Sequence, residues 1–224
     1  MHGQENDKTP SVQTLCQLLD ARADSGRGKY LFLREGREAT ASLSFAQLAR
    51  RARLLASVLR QRAQRGERAI LLYPPGAGFL PAFFGCLYAG VIAVPVPPLD
   101  AARLKRSLPR LLAIIADAKP QLLLTAGELP PDAVERLARS NHELEVIDTD
   151  LITAGFSQEA ADRSVLPAPG ADDIAYLQYT SGSTSSPRGV MAQHGNVLHN
   201  LEYLRRGFLY DADSVAVTWM PYFH

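Results

Sequence analysis

The sequence has 224 residues, 46% of them hydrophobic and 21% charged, which is ordinary for a globular protein with a substantial buried core. Its 24 Lys and Arg residues nearly balance its 23 Asp and Glu residues, and the formal net charge of +1 gives no reason to expect nucleic acid or an anionic membrane as a partner. Cys16 and Cys86 lie in apolar surroundings without metal-like spacing, which favours structural packing in a reducing cytoplasm over a disulfide-bonded secreted domain.

Neither a signal peptide nor a transmembrane helix is expected. The first 20 residues lack an apolar run before a small-residue cleavage site. Residues 69–99 carry no charge over 31 positions, but prolines leave only residues 82–94 uninterrupted. Those 13 residues are too few, because a membrane-spanning helix needs roughly 20. The charge-free stretch therefore predicts a buried strand, a buried helix and a second buried strand.

Capping signals predict two helices in the amino-terminal part of the chain. The first follows Thr9, the expected cap, and Pro10, which suits the first helical position. The second starts at Phe45, where Ser44 and Gln47 form a capping box. Several arginines of this helix are interpreted as its solvated face: Arg50, Arg51, Arg53, Arg60 and Arg62.

The chain from residue 69 to residue 148 alternates between strand and helix patterns. Strands are predicted at residues 69–73, 91–96, 121–125 and 144–147, and helices at residues 79–88, 108–116 and 132–139. Strands separated by helices need crossover connections, so we expect an α/β fold with a largely parallel sheet and helices on both faces. A first α/β unit at about residues 9–148 is followed by a surface connection at 149–171 and by the start of a second unit at 172–224.

A β-rich run at residues 173–179 leads directly into residues 180–189, which contain two glycines and a series of hydroxyl side chains. Glycine lets the backbone approach an anion closely and the hydroxyls add donors. Arg188 adds a fixed positive charge with a planar fork of donors. The segment is therefore a candidate phosphate-binding loop, although its composition alone equally allows a flexible linker.

A Walker-type phosphate loop is the other candidate, and it requires Gly-x-x-x-x-Gly-Lys-Ser/Thr opening directly into a helix. Here six residues separate Gly182 from Gly189, and the residue before Gly189 is arginine. The residues that follow, 190–192, look extended. Asn196 is then expected to cap a helix at 197–206. The spacing and the extended residues exclude the Walker type.

The segment YTSGSTSSPRGV at 179–190, followed by HGNV at 194–197, resembles the nucleotide-phosphate loop of acyl- and aryl-CoA synthetases, adenylation domains and luciferases. Within that superfamily, Gln178, Arg188 and the closing WMPYFH at 219–224 resemble the fatty acyl-AMP ligases most. Four further segments resemble the same branch: LYPPG at 72–76, FFGCLYAG at 83–90, VPVPP at 94–98 and RLKRSLP at 103–109. The resemblance runs from about Thr9 to the last residue.

The resemblance implies a two-step reaction. A fatty-acid carboxylate attacks the α-phosphate of Mg-ATP to give an acyl-adenylate and pyrophosphate, and the acyl group then passes to a phosphopantetheine thiol, in this branch on an acyl carrier protein rather than on coenzyme A. ATP and Mg²⁺ are the implied cofactors, and no residue of the chain is assigned to the metal. The implied nucleotide-binding residues are Thr180, Ser181, Gly182, Ser183, Thr184, Arg188 and Gly189.

Several aromatic and histidine residues near the end of the chain have two alternative interpretations. His224 is the implied catalytic residue, orienting the carboxylate or the nucleotide, with a core or loop histidine as the alternative. Trp219 and Tyr222 are interpreted either as lining of an acyl pocket or as core. His194 is expected to shape the turn into the last helix, and His199 to lie within that helix, neither with a catalytic role.

By comparison with the family, we expect the chain to be roughly the first two fifths of such an enzyme. The adenine-reading segment, the acidic ribose and metal ligands, and a small carboxy-terminal domain with its catalytic lysine would then be absent. The 224 residues alone are therefore expected not to catalyse adenylation. A long-chain acyl-CoA ligase and a non-catalytic nucleotide- or partner-binding chain stay open as alternatives.

Overall fold

The computed structural model describes residues 12–99, 103–140, 143–155, 168–180 and 187–223. Within these ranges the helices are α1 (Leu15–Asp24), α2 (Phe45–Leu59), α3 (Phe79–Ala89), α4 (Leu104–Ala118), α5 (Pro131–Ser140), α6 (Thr149–Gly155) and α7 (His194–Gly207). The strands are β1 (Lys29–Arg34), β2 (Glu38–Ser44), β3 (Arg68–Leu72), β4 (Ile92–Val96), β5 (Leu122–Thr125), β6 (Glu145–Asp148), β7 (Ile174–Thr180) and β8 (Arg188–Gln193). The predicted α/β class is confirmed.

Six strands form one sheet in the order β6-β5-β3-β4-β7-β8, and β1 and β2 form a separate antiparallel pair. All neighbours in the six-stranded sheet are parallel except β7 and β8, as predicted for crossover connections. Strand β7 joins this sheet beside β4, with Tyr176 opposite Ala93. The strand that leads into the glycine-rich segment is thereby fixed to the same sheet as β3. The division of the chain into two units stays a prediction.

Alternate residues of β3, β4 and β5 enter two separate apolar clusters, one on each face of the sheet. Leu71 and Ala93 belong to the cluster formed with α1, α2 and α3. Ile70 and Val94 belong to the cluster formed with α4 and α5. Because side chains of a strand point alternately to opposite faces, both faces of a continuous apolar strand must be covered. This explains why the charge-free strands need helices on both sides, as predicted.

The predicted helix after Pro10 exists, but its cap is Thr14, so the expected cap at Thr9 is wrong. The hydroxyl of Thr14 accepts a hydrogen bond from the backbone N–H of Gln17 at 3.2 Å, and α1 begins at Leu15. Thr9 and Pro10 lie outside the described residues. Thr14 and Gln17 have the spacing of a capping box, a Thr followed three residues later by Gln, and that signal is stronger than a Thr-Pro pair alone.

The predicted capping box of α2 is confirmed. The Ser44 hydroxyl accepts from the Gln47 N–H at 3.1 Å, and the Gln47 side chain accepts from the Ser44 N–H at 2.9 Å. The expected Asn196 cap of α7 is wrong, because this helix starts at His194 and Asn196 is its third residue. The Asn196 side chain instead reaches back to accept from the N–H of Gln193, at 3.2 Å. An Asn side chain can accept a backbone N–H either as the cap residue itself or as the third helical residue of a capping box.

Three elements do not appear among the sequence-based predictions, namely α6 and the two strands of the β1–β2 hairpin. Residues 149–155 form α6, so the predicted surface connection does not begin at residue 149. The hairpin of β1 and β2 was missed because apolar residues occupy both faces of β1. Phe32 packs against the core, whereas Leu31 is 54% exposed and Leu33 48% exposed. A strand with apolar residues on both faces lacks the alternation that identifies a half-buried strand.

Two of the arginines predicted to form the solvated face of α2 are instead part of the tertiary structure: Arg53 of α2 and Arg62, which follows the end of the helix. Arg53 donates to Asp20 of α1 at 2.5 Å and lies 5.4 Å from the centre of the Tyr88 ring on α3. The Tyr88 hydroxyl donates to the same Asp20 carboxylate. Arg62 forms an ion pair with Glu145. The prediction of a solvated face is therefore correct only for the other three arginines, which are exposed. Arg53 is drawn into the structure because Asp20, Arg53 and Tyr88 satisfy one another's polar groups where α1, α2 and α3 meet.

Both cysteines are buried and free, which confirms their interpretation as packing residues. Burial raises the pKa of the Cys86 thiol to about 12, and burial together with the nearby Asp20 carboxylate raises the pKa of Cys16 further. Among the described residues, no helix combines the length and the apolar character needed to cross a membrane. The apolar stretch at 69–99 is instead taken up by β3, α3 and β4.

His194, the first residue of α7, links the last helix of the chain to the first helix, α1. Its side chain is 1% exposed, and its Nδ1 accepts a hydrogen bond from the backbone N–H of Leu15 at 3.2 Å. Burial lowers the pKa of His194, an effect partly opposed by the nearby Asp173 carboxylate. The neutral ring is therefore the form that the folded state selects, since a protonated Nδ1 has no lone pair to accept with.

This geometry predicts that the chain loses stability as the pH falls through the ordinary His pKa. Below a pKa of about 6.5 the unfolded His194 side chain binds a proton that the folded one resists. The free energy of unfolding, measured by urea denaturation, should fall between pH 7 and pH 5. His194→Asn keeps an acceptor in place of Nδ1 but does not titrate, so its unfolding free energy should change less over this range. Equal pH slopes for the two proteins would contradict the assignment.

Candidate functional site

The candidate phosphate-binding loop connects the two strands of an antiparallel hairpin. At its base Thr180 of β7 lies opposite Arg188 of β8, and Tyr179 lies opposite Gly189. The inner loop residues Ser181, Gly182, Ser183 and Thr184 lie outside the described residues, as does His224. The structure therefore places three of the sequence-predicted binding residues, Thr180, Arg188 and Gly189, at the two points where the loop leaves and rejoins the sheet.

Tyr179 fixes the base of the loop to α4. Its side chain is buried, and its hydroxyl donates to the Asp117 carboxylate of α4 at 2.5 Å. Burial, followed by the interaction with Asp117, raises the pKa of Tyr179, so the phenol stays protonated and keeps donating. Sequence reasoning missed Asp117, because nothing near it in the chain indicates that a tyrosine 62 residues away will reach it.

Gly189 is required by the ring of Tyr179. A Cβ at residue 189 would lie 3.0 Å from two carbon atoms of that ring and 3.2 Å from its hydroxyl oxygen. These distances are shorter than ordinary van der Waals contact, and the ring is held by its hydrogen bond to Asp117. The glycine therefore allows the two strands to approach each other at the base of the loop. This steric role is separate from the phosphate-binding role that the sequence suggested.

Arg188 is exposed at the start of β8, and it has no ion pair with any residue that the structure describes. Other exposed arginines near the end of the chain are engaged: Arg205 and Arg206 both contact the carboxylate of Glu202 at 2.9 Å or less. An unpaired guanidinium beside a glycine-rich loop is available to bind an anion.

The last described residues of the chain pack against the face of β7 that is opposite to Tyr179. The side-chain amide of Gln178 donates to the backbone carbonyl of Phe223 at 2.6 Å. The ring of Tyr222 stacks on Phe79, with centroids 4.5 Å apart and planes at 6°. Tyr222 is therefore packed against the core, whereas Trp219 is 90% exposed. Two segments that the resemblance singled out independently, the strand before the loop and residues 219–223, are thus in direct contact.

The loop follows the carboxyl end of β7. This is the edge of the sheet at which open parallel α/β sheets bind their ligands. The chain after β3 enters α3 on one face and continues to β4, whereas the chain after the adjacent β5 enters α5 on the other face and continues to β6. The connections therefore diverge between β3 and β5 and leave a crevice at the carboxyl ends of the strands, which is the usual ligand position. Strand β7 is parallel to β4 and lies next to it, so its carboxyl end is at the same edge.

Two cavities in the described part of the chain lie away from this loop. One of about 530 Å³ lies between α4 and α5, and another of about 290 Å³ is lined by Arg65, Asp173 and His194 near the amino ends of β4 and β7. Neither is lined by Thr180 or Arg188. Within the described ranges, no three side chains among His, Cys, Asp and Glu converge as a metal site would require.

The family model described as AMP-binding enzyme matches residues 20–224 of the chain. The chain belongs to this family. Its relatives include the medium-chain-fatty-acid–[acyl-carrier-protein] ligase JamA of Moorena producens (strain JHB), 43% identical over 220 residues that cover 96% of this chain and 36% of JamA. The long-chain-fatty-acid–AMP ligase FadD23 of Mycobacterium tuberculosis (strain CDC 1551 / Oshkosh) is 32% identical over 94% of this chain and 36% of its own.

Among solved structures, the fatty acyl-adenylate ligase from L. pneumophila, in complex with acyl adenylate and pyrophosphate, is similar with a TM-score of 0.79. The two are 30% identical over 96% of this chain and 36% of the ligase. The resemblance to fatty acyl-AMP ligases is confirmed, and the fold is that of the amino-terminal domain of adenylate-forming enzymes. The chain spans just over a third of the length of these relatives.

The contact between Gly189 and Tyr179 gives a prediction about stability. Gly189→Ala should lower the free energy of unfolding by about 1–3 kcal/mol, because the added methyl group must displace a buried ring. Gly207→Ala is the matched control, since a Cβ there meets nothing within 4 Å at the end of α7. It should be neutral or stabilising by up to about 1 kcal/mol. Urea denaturation of both variants makes the comparison, and equal effects would contradict the steric role of Gly189.

Proposed function

We propose that the chain is part of an enzyme that activates a fatty acid with ATP and transfers the acyl group to a carrier-protein thiol. In the first step, a carboxylate oxygen forms a bond to the α-phosphorus of ATP while the bond to pyrophosphate breaks. In the second, a phosphopantetheine sulfur attacks the acyl carbon, AMP leaves and the thiol loses its proton. The observation that carries this proposal is the position of Arg188, which pairs with no described residue, at the base of a glycine-rich loop on the ligand-binding edge of the sheet.

The proposed role of the loop is to hold the β- and γ-phosphates while the α-phosphorus reacts. In this role Arg188 provides charge and two parallel N–H donors, and the hydroxyls of Thr180, Ser181, Ser183 and Thr184 add donors. Gly182 and Gly189 let the backbone approach the phosphates. Such a site acts by positioning and charge stabilisation, which is the main contribution that proteins make to reactions at phosphorus. The fatty acyl-adenylate ligase from L. pneumophila, solved in complex with acyl adenylate and pyrophosphate, supports this role.

We propose that Mg²⁺ enters together with the nucleotide. Mg²⁺ prefers oxygen ligands and is commonly held by substrate phosphates with few protein groups. We assign His224 to the orientation of the carboxylate or the nucleotide. This assignment rests on its place in the motif 219–224, whose preceding residues contact β7.

A carrier protein is proposed as acceptor rather than coenzyme A. JamA, which is named as an acyl-carrier-protein ligase, shares 43% identity with the chain. The relative named putative fatty-acid–CoA ligase FadD21 of Mycobacterium tuberculosis shares 34% over a shorter match of 196 residues. We also propose a cytoplasmic location, supported by two buried free thiols and by the need for ATP. The 224 residues are expected to need the rest of the family's length for turnover.

Replacing Arg188 should weaken nucleotide binding. Arg188→Ala should raise the Kd of the chain for MgATP on the order of 10- to 100-fold, the usual effect of losing a charge-assisted hydrogen bond pair. Isothermal titration calorimetry measures this directly and does not require catalysis. Arg51→Ala, which removes an exposed arginine of α2, is the matched control for net charge and should leave the Kd unchanged. Equal Kd values for Arg188→Ala and the wild type would exclude the proposed role of Arg188.

The acceptor can be tested with the longest product of the reading frame that encodes residues 1–224. Fatty-acid-dependent exchange of pyrophosphate into ATP reports the first step, and mass spectrometry of the acceptor reports the second. We expect acylated holo-carrier protein and little acyl-CoA. Preferential formation of acyl-CoA would instead identify a CoA ligase, and an absence of exchange from a product of the relatives' full length would favour a non-catalytic binding role.

A further inference from the structure

The contacts between β7 and the end of the described chain have a consequence for the proposed reaction. Strand β7 presents its side chains alternately to the two faces of the sheet. Leu177 and Tyr179 belong to the face covered by α4 and α5, and Tyr176 to the face covered by α1, α2 and α3. Gln178 is on the same side as Tyr176 by the period of a strand, and it is there that it meets residue 223.

The contact of Gln178 with Phe223 is specific, because it requires the NH₂ group of the side-chain amide as the donor. A backbone carbonyl accepts hydrogen bonds, so the residue that faces the Phe223 carbonyl must donate, and the side-chain amide does so at 2.6 Å. A glutamate of the same shape is ionised at neutral pH and has no donor. The choice of an amide at this position therefore matches the carbonyl that it faces.

A second contact holds the same segment from the side of α3. The Tyr222 ring lies parallel to Phe79, the first residue of α3, at a centroid distance of 4.5 Å. Phe79 is itself fixed between Tyr73, at 6.3 Å, and Phe83, at 5.8 Å. Phe83 is in turn 5.9 Å from Tyr176 of β7. The segment is thus held at two consecutive residues, one by a hydrogen bond and one by ring stacking.

From this geometry we infer that Gln178 is a positioning residue, which together with Phe79 holds the segment 219–223 against the strand that carries the phosphate loop. The described starting points of the two arms of the proposed site, Thr180 and Phe223, are then held relative to each other, because Thr180 comes two residues after Gln178 and Phe223 accepts from Gln178. Gln178 acts through the segment and does not touch the reacting atoms. This inference rests on the proposed function for its catalytic consequence, but not for the contact itself.

The contact can be tested in the 224-residue chain without activity, by ¹⁹F NMR of protein labelled with 3-fluorotyrosine. The resonance of Tyr222, assigned through Tyr222→Phe, should carry the ring-current shift of a ring stacked on Phe79. Gln178→Met keeps the length of the side chain and removes the donor, and it should move this resonance most of the way to its position in the urea-unfolded chain. An unchanged resonance would show that Gln178 does not hold the segment.

Gln193→Met is the matched control for this experiment. The Gln193 amide also donates to a backbone carbonyl, that of Asp172, at 2.9 Å, but it lies at the far end of β8 from the loop. Its replacement removes a hydrogen bond of the same type and should leave the Tyr222 resonance in place. If Gln193→Met moved the resonance as far as Gln178→Met does, the effect would reflect general loss of stability and the inference would be wrong.

The catalytic consequence is tested in the longest product of the reading frame, by pyrophosphate exchange. Gln178→Met should raise the KM for the fatty acid about 5-fold, the effect of one lost hydrogen bond, and leave the KM for ATP within about twofold. A purely structural role would lower kcat through the active fraction and change neither KM. An active wild type with an unshifted fatty-acid KM in the variant would overturn the inference alone. A wild type without exchange activity would overturn the proposed function and the catalytic role of Gln178 together.

Discussion

The packing of Tyr179 on Gly189, locked by the hydrogen bond to Asp117, determines where the glycine-rich loop leaves and rejoins the sheet. A Cβ at residue 189 would lie only 3.0 Å from the ring, and the hydrogen bond to the carboxylate of α4 opposes a shift of the ring away from it. The two ends of the loop are therefore as rigid as the sheet and α4. A binding loop whose ends are held in this way can orient backbone donors toward an anion at lower entropic cost than a free linker.

Strand β7 connects three parts of the molecule because its two faces have different partners. Tyr179 reaches α4 on one face, and Gln178 reaches residue 223 on the other. The strand itself pairs with β4, so its carboxyl end lies at the same edge of the sheet as those of β3 and β5, between which the connections diverge. A displacement of β7 would move the base of the glycine-rich loop and the segment 219–223 together. The buried His194, which accepts from Leu15, holds the helix after β8 against the first helix of the chain.

Much of the α/β core was predictable, because its signals are local. Each of the seven predicted strands and helices between residues 69 and 148 has a counterpart in the structure, since a parallel sheet makes its strands continuously apolar and its helices amphipathic. The capping box at Ser44 was predictable for the same reason. The caps at Thr9 and Asn196 were wrong by a few residues, because several polar residues near a helix start can make equivalent hydrogen bonds. The β1–β2 hairpin escaped because its apolar residues do not alternate with polar ones.

The sequence by itself determined the fold class and the family, because these depend on the order and spacing of residues along the chain. It could not determine that Tyr179 reaches Asp117, that Gln178 reaches Phe223, or that His194 accepts from Leu15. The partners in these contacts are 62, 45 and 179 residues apart. Only the sheet order brings them together, by inserting β7 next to β4 and leaving each of its faces against a different part of the chain. Contacts of this kind carry no local pattern, so they were decided by the tertiary structure alone.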